Sequence, residues 1–219
     1  MRGAIMAGLT VFGGGGYAGS HIVEAAAVRG MEVTSITRTE VATQIANVRY
    51  RQGSLTDPAV RAHALSSGDT ILIAASPRGA MADVLRGAIA DFAAEADNAG
   101  VRLGVIGGSG SLIAEPGGPR LFEMPGFGQE YLAEARTMSE VLDDLLAAPS
   151  TLDWFMVCPP GDFGPWAAGT FRDEYRVSDD VVLVDSEGKS AISGADFGVA
   201  VVDEVEMPAH RRRRFTVAY

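Results

Sequence analysis

The chain has 219 residues, 47% of them apolar and 21% charged, with 28 acidic against 18 basic side chains and a formal net charge of −10. That length suits one domain able to bury a continuous core without disulfide or metal staples, and the acidic balance argues against a nucleic-acid binder. A single cysteine, Cys158, excludes an internal disulfide and multi-cysteine metal sites, and the three scattered histidines, His21, His63 and His210, offer no paired ligand spacing, so no metal is expected.

No apolar stretch reaches the ~18 residues of a membrane span and no basic-then-apolar leader opens the chain, so the expectation is a cytoplasmic protein without a membrane partner. Among the 18 basic residues only Lys189 is lysine. Any mechanism that needs a lysine therefore has one candidate.

Taken in order, residues 1–8 read as an extension ahead of the first strand, with disorder expected there and Met6 an alternative start. Residues 9–12 (LTVF) form a short apolar run that ends in glycines, the pattern of a buried strand. Residues 20–29 are alanine-rich and stop at Gly30, which predicts a helix. Glu32–Thr37 and Val48–Gln52 read as strands two and three. Asp57-Pro58 sets an N-cap followed by proline at the first helical position, opening a helix to about Ser66. Residues 70–75 (TILIAA) make the fourth and most apolar strand.

The alternation continues with a helix over 81–99 ending at Gly100, a strand over 101–106, and a glycine- and proline-rich stretch over 107–128. A helix over 129–148 is stopped by Pro149. Strand six spans 152–157 and meets Cys158-Pro159-Pro160. A β-excursion over 175–184, a helix from the Ser193…Asp196 start signal to about Met207, and a last strand over 215–218 complete the chain. Short apolar strands alternating with helices predict an α/β fold, a doubly wound parallel sheet covered on both faces. No linker or repeat splits it, so one domain is expected, with a small substrate-side cap built from the 107–128 loop and the 160–190 excursion.

Directly after strand one stands Gly13-Gly14-Gly15-Gly16-Tyr17-Ala18-Gly19. A dinucleotide needs a tight strand-to-helix turn, a bare backbone beside its pyrophosphate, and a small residue where helix meets sheet. The helix start then offers free N–H groups and the positive end of its dipole. Gly13, Gly16 and Gly19 fit one glycine spacing, while Gly14, Gly16 and Gly19 fit another. Four consecutive glycines leave both open. No Gly-Lys-Ser/Thr follows, which excludes a nucleoside-triphosphate P-loop.

The end of strand two selects the ribose substituent: an acid binds the 2′-hydroxyl of NADH, an arginine the 2′-phosphate of NADPH. Glu32 sits at the start of that strand and Arg38 at its end, so NADPH is the expected cofactor, with NADH the alternative.

From Leu9 onward the chain resembles the atypical short-chain dehydrogenase/reductases of the NAD(P)H-flavin reductase kind, related to NmrA-like NAD(P)-binding proteins and to biliverdin reductase B. The residues that carry the resemblance are GGGGYAG, QGSLTD after strand three, AASP after strand four, GGSGSL at 107–112, PGFGQEY at 125–131, and the tail ISGADFGVAVVDEVEMPAHRRRRFTVAY. One departure is Ser54, where such proteins usually carry Asp against the adenine edge. The resemblance implies hydride transfer from NAD(P)H to a flavin or similar flat acceptor, with flavin as substrate and no Tyr-x-x-x-Lys pair. The lysine count leads to the same place, because Ala135 stands four residues after Tyr131 and Lys189 lies far along in a polar turn. Without a lysine to lower a tyrosine's pKa and hold the ribose, carbonyl reduction by that route is not expected.

Candidate cofactor contacts are Gly13, Gly15, Gly16, Tyr17 and Ala18 at the glycine turn, then Arg38, and Ser54 and Leu55 in QGSLTD. Ala75, Ser76 and Pro77 follow strand four, and Pro159 follows strand six. Candidate catalytic residues are Ser109, with Ser111 second, and Tyr131. Phe122, Met124, Phe127 and Tyr131 read as a mobile aromatic lid or as core packing. Cys158 reads as buried packing, not a nucleophile. The run 211–214 (RRRR), the pair Asp143-Asp144 and the pair Asp179-Asp180 read as solvated surface. The partner is a small flat acceptor, and a homodimer stays open. The competing expectation is a non-catalytic NmrA-like protein that senses the cofactor.

Overall fold

The computed structural model describes residues 8–219. The extension expected at the N-terminus lies outside them except for Gly8, which already belongs to the first strand, β1 (Gly8–Phe12). The other strands are β2 (Glu32–Thr37), β3 (Val48–Gln52), β4 (Thr70–Ile73), β5 (Arg102–Ile106), β6 (Trp154–Cys158), β7 (Arg176–Ser178) and β8 (Arg213–Ala218). They form one sheet in the order β3-β2-β1-β4-β5-β6-β8-β7. All pairs are parallel except β7 with β8, an antiparallel edge that reduces the predicted excursion to three paired residues.

Five helices cover the sheet: α1 (Tyr17–Val28), α2 (Pro58–Ser67), α3 (Leu85–Ala99), α4 (Gln129–Ala147) and α5 (Gly194–Glu206). The pleat sends alternate strand residues to opposite faces. Leu9, Val11 and Leu72 join α1 and α5 in one core, while Phe12, Ile71 and Ile73 join α2, α3 and α4 in the other. β1 and β4, whose chains leave for opposite faces, are neighbours in register Val11↔Leu72 and Phe12↔Ile73. Sheets of this order bind ligands beyond the carboxyl ends of those strands.

Local chemistry sets the boundaries. Asp57 caps α2 through its side chain, accepting from the Ala59 amide at 2.8 Å ahead of Pro58. Ser193 caps α5 by accepting from the Asp196 amide. α1 begins at Tyr17, three residues before the sequence pattern placed it, because the glycine turn leads straight into it. α3 begins later than predicted, at Leu85, since a 3₁₀ turn (Gly79–Met81) intervenes. The two predicted cap segments are tied together: the Ile113 amide donates to Asp180 O at 2.8 Å and the Val182 amide to Ile113 O at 3.0 Å.

The arginine run is solvated only in part, with Arg211 and Arg213 exposed, Arg212 half-buried and Arg214 buried. Arg211 pairs with Asp153, and Arg213 lies 3.6 Å from Asp179. Arg212, with φ of 55°, donates to the carbonyls of Ala148, Pro149 and Leu152 and so ties down the connection from α4 to β6. The acidic pairs lie at the surface as expected and carry ion pairs there, Asp143 with Arg120 and Asp144 with Arg86. An arginine followed by more arginine shows no apolar period, so sequence pattern could not separate the buried one from the rest.

Candidate functional site

The β1–α1 turn shows which glycine spacing operates. Gly13 has φ of +85°, a conformation only glycine adopts freely, and its amide donates to Ile36 O. Gly16 is the N-cap of α1 and its amide donates to Gly13 O at 3.0 Å. A Cβ on Gly19 would lie 2.8 Å from the Gly13 carbonyl carbon and 2.9 Å from Gly14 Cα, so the helix docks here only with glycine. Gly13, Gly16 and Gly19 are therefore the working set. Gly14 instead packs over the Ser35 side chain.

Gly16 has no side chain to cap the helix, and the first turn of α1 carries no acidic residue. The leading amides thus have no intrahelical acceptor and point, with the dipole's positive end, toward whatever occupies the space ahead of them. That space is a cleft of about 720 Å³. Gly13, Gly15 and Gly16 form part of its floor, and Thr37, Arg38, Glu40 and Val41 line one end. Ser54 and Leu55 line it from the loop after β3, and Ala75, Ser76 and Arg78 from the loop after β4. A pyrophosphate fits such a floor, since exposed glycine backbone and unpaired helix amides recognise anions.

Most predicted cofactor contacts meet at this cleft. Four do not line it with their side chains. Tyr17 turns its ring edge-on to His21 and Phe163, each at 5.1 Å, and burial pushes its hydroxyl up from the ordinary phenol range. It locks α1 against α5, leaving only its amide for a ligand. Ala18 packs against the α1–α5 core. Pro77 and Pro159 are buried.

Arg38 is exposed, and among the described residues its guanidinium makes no hydrogen bond or ion pair; its carbonyl accepts from Gln52 Nε2 at 2.9 Å. The loop holding Ser54 and Leu55 is braced from below by buried Arg61. Its Nη1 donates to Leu55 O at 3.0 Å, while Nε and Nη2 grip the Glu95 carboxylate at 2.9 and 2.7 Å. Arg78 joins the cleft to α4 through Glu134 at 2.5 Å. Sequence reasoning missed both arginines. Arg78 directly follows the quoted Ala-Ala-Ser-Pro, the one available signal, whereas Arg61 sits in an ordinary helical pattern.

β4 and β5 are neighbours, so Ser76 and Ser109 lie equally far past the ends of adjacent strands. The loop after β5 is tightly held. A Cβ on Gly107 would approach Cys158 Sγ to 2.6 Å, and one on Gly110 would approach Ala135 Cβ on α4 to 2.6 Å. Ser111 is fully buried, donates to Gly108 O at 3.0 Å and sits 3.6 Å from Cys158 Sγ. It is a brace inside the loop and cannot touch an acceptor, which corrects its candidacy as a catalytic residue. Ser109 is half-buried, and among the described residues its hydroxyl has no partner. Burial raises the Cys158 thiol above its ordinary range, in keeping with packing.

The aromatic lid residues divide. Phe127 covers Gly110 at the loop, and Phe122 is half-buried, whereas Tyr131 at the start of α4 and Met124 are exposed. Lys189 closes an exposed turn in which its amide donates to Asp185 Oδ1. No cluster of three or more potential metal ligands occurs among the described residues, and no helix among them is long and apolar enough to cross a membrane.

A family model described as NAD(P)H-binding matches residues 13–206. The uncharacterized protein YwnB of Bacillus subtilis strain 168 is 35% identical over 211 residues, covering 94% of this chain and 96% of that protein. A solved structure from Burkholderia pseudomallei, named as a candidate exported protein, superposes with a TM-score of 0.86 at 32% identity, over 98% of this chain and all of that one (100%). Another, from Streptococcus pneumoniae TIGR4 and named as a candidate NADH-flavin reductase, gives 0.83 at 28% identity over 97% and 99% of the two chains.

Proposed function

The chain belongs to the NAD(P)H-binding family, and from that premise we propose that it is an NADPH-dependent reductase delivering hydride to a flavin or similar flat acceptor. The observation that carries this reading is the cleft. Its glycine floor and uncapped α1 suit the pyrophosphate, Arg38, unpaired among the described residues, suits a 2′-phosphate at one end, and Ser76 lines it from the loop after β4, the strand beside β5. The name of the S. pneumoniae neighbour supports the choice of flavin as acceptor.

When bound, the nicotinamide supplies the hydride. The protein's own residues then have a limited task. The α1 amides and Gly15–Gly16 backbone hold negative charge, and the Arg38 guanidinium, always protonated, adds a charge-assisted contact. Ser54 offers a neutral hydroxyl where a carboxylate would grip the adenine edge more firmly. The Ser109 hydroxyl is free to donate to a carbonyl of an acceptor ring, which fixes the ring's orientation. Reduction at flavin N5 takes its proton from solvent, so neither the lone lysine nor a Tyr-x-x-x-Lys pair is needed, and positioning supplies most of the rate.

The test is a steady-state assay following NADPH absorbance with free FMN, beside a binding titration of NADPH alone. Binding with FMN-dependent turnover supports the reductase. Tight binding with no turnover on FMN, a quinone or a linear tetrapyrrole refutes it in favour of a cofactor sensor.

A further inference from the structure

The geometry points to Arg214 as a positioning residue that holds the loop after β5 in the register that presents Ser109. Arg214 lies in β8 opposite Met156 of β6 and is 5% exposed. A guanidinium inside a sheet face is costly unless every arm is paired. Here Nη1 donates to the Ser111 carbonyl, while Nε and Nη2 donate to Asp180 Oδ1 at 3.0 and 2.6 Å.

Asp180 closes the arrangement. Its own carbonyl accepts from the Ile113 amide, so one residue meets the loop through its backbone and Arg214 through its carboxylate. Ser111, whose carbonyl Arg214 grips, donates its hydroxyl back to Gly108 O, and the Leu112 amide donates to Ser109 O at 2.9 Å. Ser111, which holds Gly108 through its hydroxyl, is therefore fastened to β8 through the Arg214 side chain, and Ser109 is the hydroxyl left over. The planar fork serves two partners at once; a lysine ammonium at the same place reaches one well.

The kinetic arm of the test rests on the reductase reading, while a hydrogen-exchange arm does not. In the full chain, Arg214→Met is expected to lower kcat/KM for FMN at least tenfold through kcat and FMN KM, with NADPH Kd within twofold of the parent. The amides of Ser111, Leu112 and Ile113 are expected to lose protection tenfold or more while those of β1 and β4 keep theirs. Arg214→Lys should restore part of both effects, and Arg213→Met should change neither. Should Arg214→Met not fold, Asp180→Asn, which weakens the guanidinium's anchor and leaves Arg214 in place, should produce the same changes at smaller size. Unchanged protection at 111–113, or NADPH binding that weakens in step with FMN turnover, overturns the assignment. If the parent binds NADPH but reduces no flavin, the reductase reading fails and the exchange result alone decides the role of Arg214.

Discussion

Gly19→Ala tests the cofactor turn most directly. The added Cβ would sit 2.8 Å from the Gly13 carbonyl carbon and 2.9 Å from Gly14 Cα, against the 3.4 Å or more of ordinary contact. All of these neighbours are backbone and the Gly13 carbonyl oxygen is nearer still, so no rotamer change relieves the overlap, and the start of α1 must retreat by about 1 Å. Overpacking of this kind costs about 1–3 kcal/mol of stability. The same retreat withdraws the leading α1 amides from the pyrophosphate. Losing one charge-assisted hydrogen bond costs about 1.5–3 kcal/mol, which is roughly 10–100-fold in Kd. Fluorescence titration with NADPH reads the second effect and urea unfolding the first. Gly87→Ala is the control: Gly87 lies in α3 with nothing within 4 Å of its would-be Cβ, and the change should stabilise by about 0.5–1 kcal/mol and leave binding alone. An NADPH Kd for Gly19→Ala within twofold of the parent would refute the placement of the pyrophosphate on this turn.

Three further outcomes are expected. Arg38→Gln should weaken NADPH about 10–100-fold and NADH less than threefold, because only the 2′-phosphate uses the guanidinium; equal losses for both cofactors would remove Arg38 from the ribose site. Arg61→Met should lower the urea midpoint by an amount equivalent to about 2 kcal/mol, since it strands the buried Leu55 carbonyl while half-buried Glu95 recovers water, and NADPH affinity should fall with it. An unchanged midpoint would mean that water replaces the brace. Alkaline stability should decline above about pH 10, where unfolded phenols lose their protons. Burial, aided in Tyr175 and Tyr219 by Asp203 and Asp196, holds Tyr17, Tyr175 and Tyr219 above that range in the fold. Their contribution is complete below the unfolded pKa and is lost as pH rises toward the folded values. Absorbance at 295 nm should therefore show Tyr17, Tyr175 and Tyr219 titrating late in the native protein, and ordinary titration of all five tyrosines would contradict it.

The candidate site was legible where chemistry depends on neighbours in sequence. A glycine turn between a strand and a helix, and an arginine at the end of the next strand, are local signals. They led to the cleft lining at Gly13, Gly15, Gly16 and Arg38. Ser109 and Ser111 show the boundary of that reading. Two serines one residue apart look alike, yet Ser111 is sealed against Cys158 and Gly108 while Ser109 keeps a free hydroxyl. The difference arises from the 3₁₀ turn and from Arg214, which comes from the far end of the chain.

By itself the sequence determined the alternation of strands and helices, the capped starts of α2 and α5, the glycine turn between the first strand and its helix, and the absence of a Tyr-x-x-x-Lys pair. Apolar period, caps and residue counts act within a few positions along the chain. Only the tertiary structure decided which glycine spacing operates, that Tyr17 faces α5 and not the cleft, and that one arginine of four is buried. Those outcomes rest on steric and electrostatic contacts between segments far apart in the chain, as in the bond from Arg214 to Ser111 across 103 residues and the packing of Tyr17 against Phe163, and no local pattern encodes them.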